Sequence, residues 1–151
     1  MAKNSISTIQ CLIIERHEWE TGAEQQQLQI PLDVANCFFG PGTSPRRVTV
    51  RVFIPSTARS PAFEKRVSIS REYPNGTRRV NGFVEIGSLG PCFIFFEQTS
   101  DSGVYNVWWD RDKAIIGAKF SEWQQGRGSQ YGRGRLAVIV PGPVQRQIRQ
   151  I

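Results

Sequence analysis

The stretch KRVSISREYPNGTRRVNGF, Lys65 to Phe83, decides the fold class. Val67 and Ile69 alternate with Arg66, Ser68 and Ser70, the period of a strand with one buried face. Pro74-Asn75-Gly76 is a turn signal, and Thr77 to Asn81 returns from it, so the stretch reads as a hairpin tip. Upstream, RVTVRVFI (Arg47 to Ile54) alternates in the same way. Downstream, PCFIFFEQ (Pro91 to Gln98) is almost continuously apolar, as in a central strand. TSDSG (Thr99 to Gly103) is a second hairpin turn, and VYNVWW (Val104 to Trp109) is its return strand. Ile9 to Ile14 and RLAVIV (Arg135 to Val140) supply a first and a last strand.

Between these runs, ETGAEQQQ (Glu20 to Gln27) is a polar loop and LQIP (Leu28 to Pro31) starts an element. LDVANCFFG then reads as a short helix, with Pro31 suiting its first turn, Asp33 its dipole and Gly40 its C-terminal cap. DRDKAIIGAKFSEW (Asp110 to Trp123) suggests a second helix weakened by Gly117. GRGSQYGRGR (Gly126 to Arg135) reads as flexible by composition. The expectation is a mostly β, β-barrel-like fold of about seven short strands with one or two short helices. It forms a single domain over 1–140, and 141–151 (PGPVQRQIRQI) is a linker or tail.

A chain of 151 residues, 39% hydrophobic and 21% charged, holds a core without disulfides or metals and is not a disordered tail. No apolar run approaches the ~20 residues that span a bilayer, and MAKNSISTIQ lacks a signal peptide's apolar region. A cytoplasmic monomer is the expectation, with no membrane partner. Cys11, Cys37 and Cys92 are odd in number, lack CxxC spacing and sit among apolar residues, so they read as buried thiols.

Charge is more telling. Nineteen basic against thirteen acidic residues give +6, and fifteen of the nineteen are arginine. Residues 41–96 carry +6 and residues 125–151 carry +5, whereas 1–40 and 97–124 are acidic at −3 and −2. Arginine's planar fork suits phosphates and guanine edges, so this distribution points to a nucleic acid. Plain solubility charge is the competing explanation.

Catalytic constellations are scarce. The single histidine, His17, lies in an acidic, Trp-containing stretch and reads as a surface residue. Neither a GxSxG elbow nor a Walker GK[ST] loop occurs. Asp110-Arg111-Asp112, followed by Lys113, offers a nuclease-like acidic pair, but a helix start enriched in Asp is the commoner cause of such a run. Neither catalysis, cofactor nor metal is expected.

Two polar segments carry base-edge chemistry. Glu24, Gln25, Gln26 and Gln27, with Gln29 after them, offer glutamine for adenine and glutamate for cytosine. The tip from Tyr73 to Asn81 presents Asn75, Thr77, Arg78, Arg79 and Asn81, in which arginine matches guanine and asparagine adenine. Arg78 is the leading candidate. Arg46, Arg47, Arg51, Lys65, Arg66, Arg71 and Tyr73 are candidate contacts to the DNA backbone, which set register without reading sequence.

The order of TGAEQQQLQIP (21–31), LDVANCFF, VTVRV, EYPNGTRRVNGF and VYNVWW resembles the N-terminal effector domain of EcoRII-type restriction endonucleases, a B3-like DNA-binding pseudobarrel. The resemblance covers roughly residues 10–120. It implies two arms in the major groove of double-stranded DNA, an N-arm at Glu24 to Gln29 and a C-arm at Gly76 to Asn81, with Thr77 and Arg78 matching the family's Thr-Arg. Val80, Asn81 and Gly82 depart from the family's glutamate and basic residues, and Glu24 or a neighbouring Gln replaces its histidine. The implied target is CCWGG-like, and the implied role is to target or activate a nuclease domain C-terminal to this one. Two alternatives stay open: an RNA- or single-strand-binding β-barrel, which needs exposed stacking rings, and a phage or bacterial protein-interaction factor.

Overall fold

Strand formation follows the apolar alternation of the chain. The computed structural model describes residues 9–16, 28–74, 76–83, 85–86, 92–111, 127–131, 135–142 and 144. They form β1 (Gln10–Arg16), β2 (Leu28–Pro31), α1 (Leu32–Phe39), β3 (Arg46–Val52), β4 (Phe63–Ile69), β5 (Thr77–Asn81), β6 (Cys92–Gln98), β7 (Val104–Asp110), β8 (Arg127–Tyr131) and β9 (Arg135–Pro141). All nine strands belong to one sheet, in the order β2-β5-β4-β3-β7-β6-β1-β9-β8. Neighbours are antiparallel except β3 and β7, which run parallel. The end strands β2 and β8 approach each other, so the sheet curls into a nearly closed barrel.

The mostly β, barrel-like architecture is therefore the one expected, with more strands than the expected seven. Arg127–Tyr131, which reads as flexible by composition, is a strand because β9 supplies its ladder from Arg127↔Ile139 to Tyr131↔Arg135. Backbone pairing with a neighbour outweighs weak local propensity there. Asp110 ends β7 opposite Phe93 rather than starting a helix, and residues 112–123 of the suggested second helix lie outside the described residues. Residues 141–144 were expected to begin a tail. Instead Pro141 pairs with Gln10, Gly142 N donates to Ile9 O (2.7 Å) and Val144 N donates to the Glu97 carboxylate (2.6 Å).

Two kinds of strand build the barrel. In β1, β6 and β9 both faces are buried. Leu12, Ile14, Ile94, Phe96, Ala137 and Ile139 point into the barrel core. Cys11, Ile13, Phe93, Phe95, Val138 and Val140 form a second cluster outside it, with Phe53 and Trp108. Trp108 stacks on Phe95, ring centroids 5.0 Å apart and 6° from parallel. Continuous apolar runs are the signature of such doubly covered strands. In β3 and β4 only one face is apolar: Val48, Val50, Val52, Val67 and Ile69 point inward, and the alternate residues stay at least partly exposed.

Helix α1 spans the seam of the barrel, touching β2 and β5 at one end of the strand order and β8 and β9 at the other. It begins after Pro31 and ends at Gly40, whose φ of 94° is readily adopted by glycine. Val34, Ala35, Phe38 and Phe39 enter the core, where Phe38 and Phe39 each lie 5.5 Å from the Tyr105 ring.

Arg78 corrects the sequence expectation most sharply. Strand alternation gives it the inward parity of Val80, opposite Ile30 of β2, and it is completely buried. Its Nε donates to Ser70 O (2.8 Å), and its Nη1 donates to Asn36 Oδ1 (3.0 Å) and Gly40 O (2.6 Å). Burial lowers its pKa, the nearby Arg46 charge lowers it further, and Glu72 opposes both. The positive charge sits at the carbonyl end of α1, where the helix dipole favours it. A Cβ on Gly42 would fall 3.0 Å from the Arg78 side chain, so that glycine makes room for the guanidinium. Thr77 is also buried, and its carbonyl accepts from Tyr73 N (2.8 Å). Neither residue presents itself to a DNA groove.

Cys37 is another correction: it is exposed on α1, whereas Cys11 and Cys92 are buried as expected. Position 37 lies one turn after Asp33, on the exposed side of the helix, whereas Val34, Ala35 and Phe38 face the core. Burial, and then the Glu97 carboxylate, push the Cys11 thiol well above its ordinary pKa.

Two measurements check this arrangement. Arg78→Met leaves three carbonyl acceptors without their donor and is expected to lower unfolding free energy in urea by about 3 kcal/mol or more. A loss below ~1 kcal/mol would show that the guanidinium does not hold the helix to the hairpin. With an aromatic disulfide reagent, one thiol is expected to react in the native protein and the other two only on unfolding, and Cys37→Ser should abolish the native reaction.

Candidate nucleic-acid interface

The exposed half of the barrel wall is the outer face of β2, β5, β4 and β3. The inward positions are apolar apart from the buried Arg78 and, nearer the strand ends, Arg46 and Lys65, so most polar residues of these strands gather on the other side. Register then sets their neighbours. Gln29 lies opposite Arg79, Asn81 opposite Ser68, Ser68 opposite Arg47, and Thr49 opposite Arg66. Directly opposed side chains start about 5 Å apart, so Arg47, Ser68 and Asn81 form a row across three strands.

The hairpin β4–β5 is held tightly. Arg79 N donates to Ser70 Oγ (2.9 Å), Ser70 N donates to Arg79 O (2.8 Å) and Gly76 N donates to Tyr73 O (3.0 Å). Two backbone bonds dock it on the helix region: Leu32 N to Gly76 O (2.9 Å) and Glu72 N to Gly42 O (3.1 Å). The Arg79 guanidinium lies 4.0 Å above the centre of the Tyr73 ring, a cation–π contact that orients both side chains. Tyr73 is therefore half-buried under an arginine rather than a bare contact for the DNA backbone.

The candidate cations divide into two groups. Arg47, Arg66 and Arg71 are exposed and have no carboxylate partner among the described residues. Arg51 pairs with Glu64 (3.2 Å) and approaches Asp101 (3.9 Å), and Lys65 pairs with Glu85 (3.0 Å). These two carry less net field outward. Arg46 is exposed but has the parity of Val48, and its Nη1 lies beside Gly40, at the end of α1. Ser68 and Thr49 went unremarked in the sequence, although both share the parity of residues that stood out there, Arg66 and Arg47.

Of the base-reading candidates, Gln29, Arg79 and Asn81 come together on this face. Arg78 and Thr77 are removed from it by burial. Glu24, Gln25, Gln26, Gln27 and Asn75 lie outside the described residues, as does His17. A cleft of about 420 Å³ opens beside the row, walled by Pro45, Ser68, Tyr73, Pro74 and Asn81.

No protein-family profile, curated protein or solved structure matches this chain. Phe93, Phe95, Phe96 and Trp108 are buried, and among the described residues the one large hydrophobic side chain that is exposed is Ile54. The face thus offers cations and amides rather than a platform of rings. Among the described residues, no three or more His, Cys, Asp or Glu side chains cluster as metal ligands, and no helix is long and apolar enough to cross a membrane.

Retention on an immobilised polyanion such as heparin tests the division among the cations. Arg47→Ala and Arg66→Ala are each expected to elute at distinctly lower salt than the unaltered protein. Arg51→Ala should shift elution less, because Glu64 already offsets its charge. Equal shifts for all three would contradict the arrangement.

Proposed function

We propose that this chain is a non-catalytic domain that binds double-stranded DNA in a sequence-dependent manner through the outer face of β2, β5, β4 and β3. One observation carries the reading: Gln29, Arg79 and Asn81, whose amides and guanidinium match base edges, share a face with the unpaired cations Arg47, Arg66 and Arg71. Phosphate contacts from the arginines hold the duplex and fix its register, and the amides discriminate bases. Four strands at ~4.8 Å spacing present a strip comparable with the ~12 Å width of the major groove. Among the described residues no aromatic ring is fully exposed, and this favours duplex over single strands, which bind by stacking. The resemblance to the effector domain of EcoRII-type endonucleases supports the same reading, with a CCWGG-like site as the first duplex to try and a nuclease domain as the partner.

The reading differs from the sequence expectation in its leading residue. Arg78 is structural, and the C-arm chemistry passes to Arg79 and Asn81. Selection of bound duplexes from a random pool, followed by gel shifts, tests it. A selected duplex should bind far more tightly than random duplex or single strand, and equal binding of all three would end the proposal. Asn81→Ala should cost about 1–3 kcal/mol on the selected site and flatten preference at one base pair. Arg47→Ala should weaken all sequences alike and reduce the slope of log K against log salt by about 0.9.

A further inference from the structure

The cleft beside the interface joins three residues of that interface, Ser68, Arg71 and Asn81, to walls that groove reading does not use. Its volume of about 420 Å³ falls within the usual span of small-molecule sites, roughly 300–1,000 Å³. Pro45, Pro74 and Tyr73 supply flat apolar surface. One face of the Tyr73 ring is covered by the Arg79 guanidinium, so its remaining face and edge are what the cleft has to meet. Polar groups sit among these walls: Ser68, Asn81 and the exposed carboxylate of Glu72. Arg71, also exposed, supplies a cation at the same cleft.

Asn81 is the informative member. It lines the cleft, yet its Oδ1 is buried with no hydrogen-bond partner. A buried acceptor left unpaired costs about 1–3 kcal/mol. Rotating the amide by half a turn exchanges its oxygen and nitrogen, so Asn81 can present an acceptor or a donor to a ligand in the cleft. Ser70, by contrast, is already committed: its Oγ donates to Arg71 O (2.7 Å) and accepts from Arg79 N. Adjacent donor and acceptor on one amide, a hydroxyl and a carboxylate within apolar walls match the edge of a planar heterocycle. Glu72 disfavours an anion inside, whereas Arg71 favours one at the same opening.

We propose that the cleft receives a nucleobase, with the base between Tyr73 and the prolines, its polar edge on Asn81 and Ser68, and its phosphate held outside by Arg71. The inference rests on the duplex-binding reading, because Asn81 and Ser68 belong both to the cleft and to the row that ends at Arg47. A duplex on that face therefore lies across the cleft, and the base comes from the duplex by rotation out of the stack. Unpairing costs a few kcal/mol, less where the base is already mismatched.

The test uses the whole chain and its tightest selected duplex, with 2-aminopurine placed singly at each position. Extrusion predicts a severalfold rise in fluorescence on adding protein at one position and little change elsewhere. A mismatch at that position should tighten binding by about tenfold or more, and Asn81→Ala should abolish the fluorescence rise. Duplex binding with no such position, and with mismatches that weaken binding throughout, overturns the extruded base while leaving the DNA-binding reading intact. Saturable binding of free deoxynucleoside monophosphates that Asn81→Ala abolishes, without any change in duplex fluorescence, assigns the cleft to free nucleotides and overturns the duplex source. Absence of any duplex binding removes the reading on which the inference rests.

Discussion

The guanidinium of Arg78 holds together the parts on which the interface depends. It gathers Ser70 of the hairpin, Asn36 within the helix and Gly40 at the helix end around one buried charge. Among the described residues no carboxylate bonds it and its Nη2 has no partner, so three neutral acceptors and the negative end of the helix dipole offset the cost of desolvation. Such a cluster tolerates little displacement, because two of its acceptors are backbone carbonyls and the third is a side chain on the helix. The consequence reaches the surface. With Arg78 locked inward, the next residues on β5 alternate outward, and Arg79 and Asn81 emerge at defined places beside Ser68. Gly42 belongs to the same arrangement, since a Cβ there would lie 3.0 Å from the Arg78 side chain and 3.1 Å from Asn36 Oδ1 and crowd both.

The barrel wall is chemically divided. Around β1, β6 and β9 the outer surface is a second apolar cluster and is buried. Around β3, β4, β5 and β2 it is polar and basic. In the proposed function, a duplex approaching that polar side meets the exposed Arg47, Arg66 and Arg71, which orients the encounter as well as strengthening it. Within the polar side, the ion pair Arg51–Glu64 offsets one cation, while Arg47, Arg66 and Arg71 have no carboxylate partner among the described residues. The row from Arg47 through Ser68 to Asn81 leads from that charge to the cleft, so the proposed function would give phosphate holding and base inspection to neighbouring residues.

Much of this architecture is legible in the residues. Val67 and Ile69 alternating with Arg66 and Ser68 announce a strand with one polar face, and the continuous run Cys92 to Phe96 announces one covered on both. Pro31 and Gly40 bracket the helix found between them. Arg79 and Asn81 stand out by their chemistry alone. The burial of Arg78 was partly legible too: counting parity from Val80 places it inside. Its chemistry as the commonest partner of guanine pulled the expectation the other way.

Local pattern thus determined the element types, the faces of each strand and the stock of groups suited to DNA. These follow from periodicity and residue chemistry, which short windows of sequence contain. Strand order, register and the meeting of helix with hairpin were decided only by the tertiary structure. Arg78 finds acceptors 38 and 42 residues away, Arg127–Tyr131 becomes a strand because β9 lies beside it, and Arg47 meets Ser68 through a ladder between two strands. Hydrogen bonds and burial between distant segments set those outcomes, and no window of sequence holds both partners.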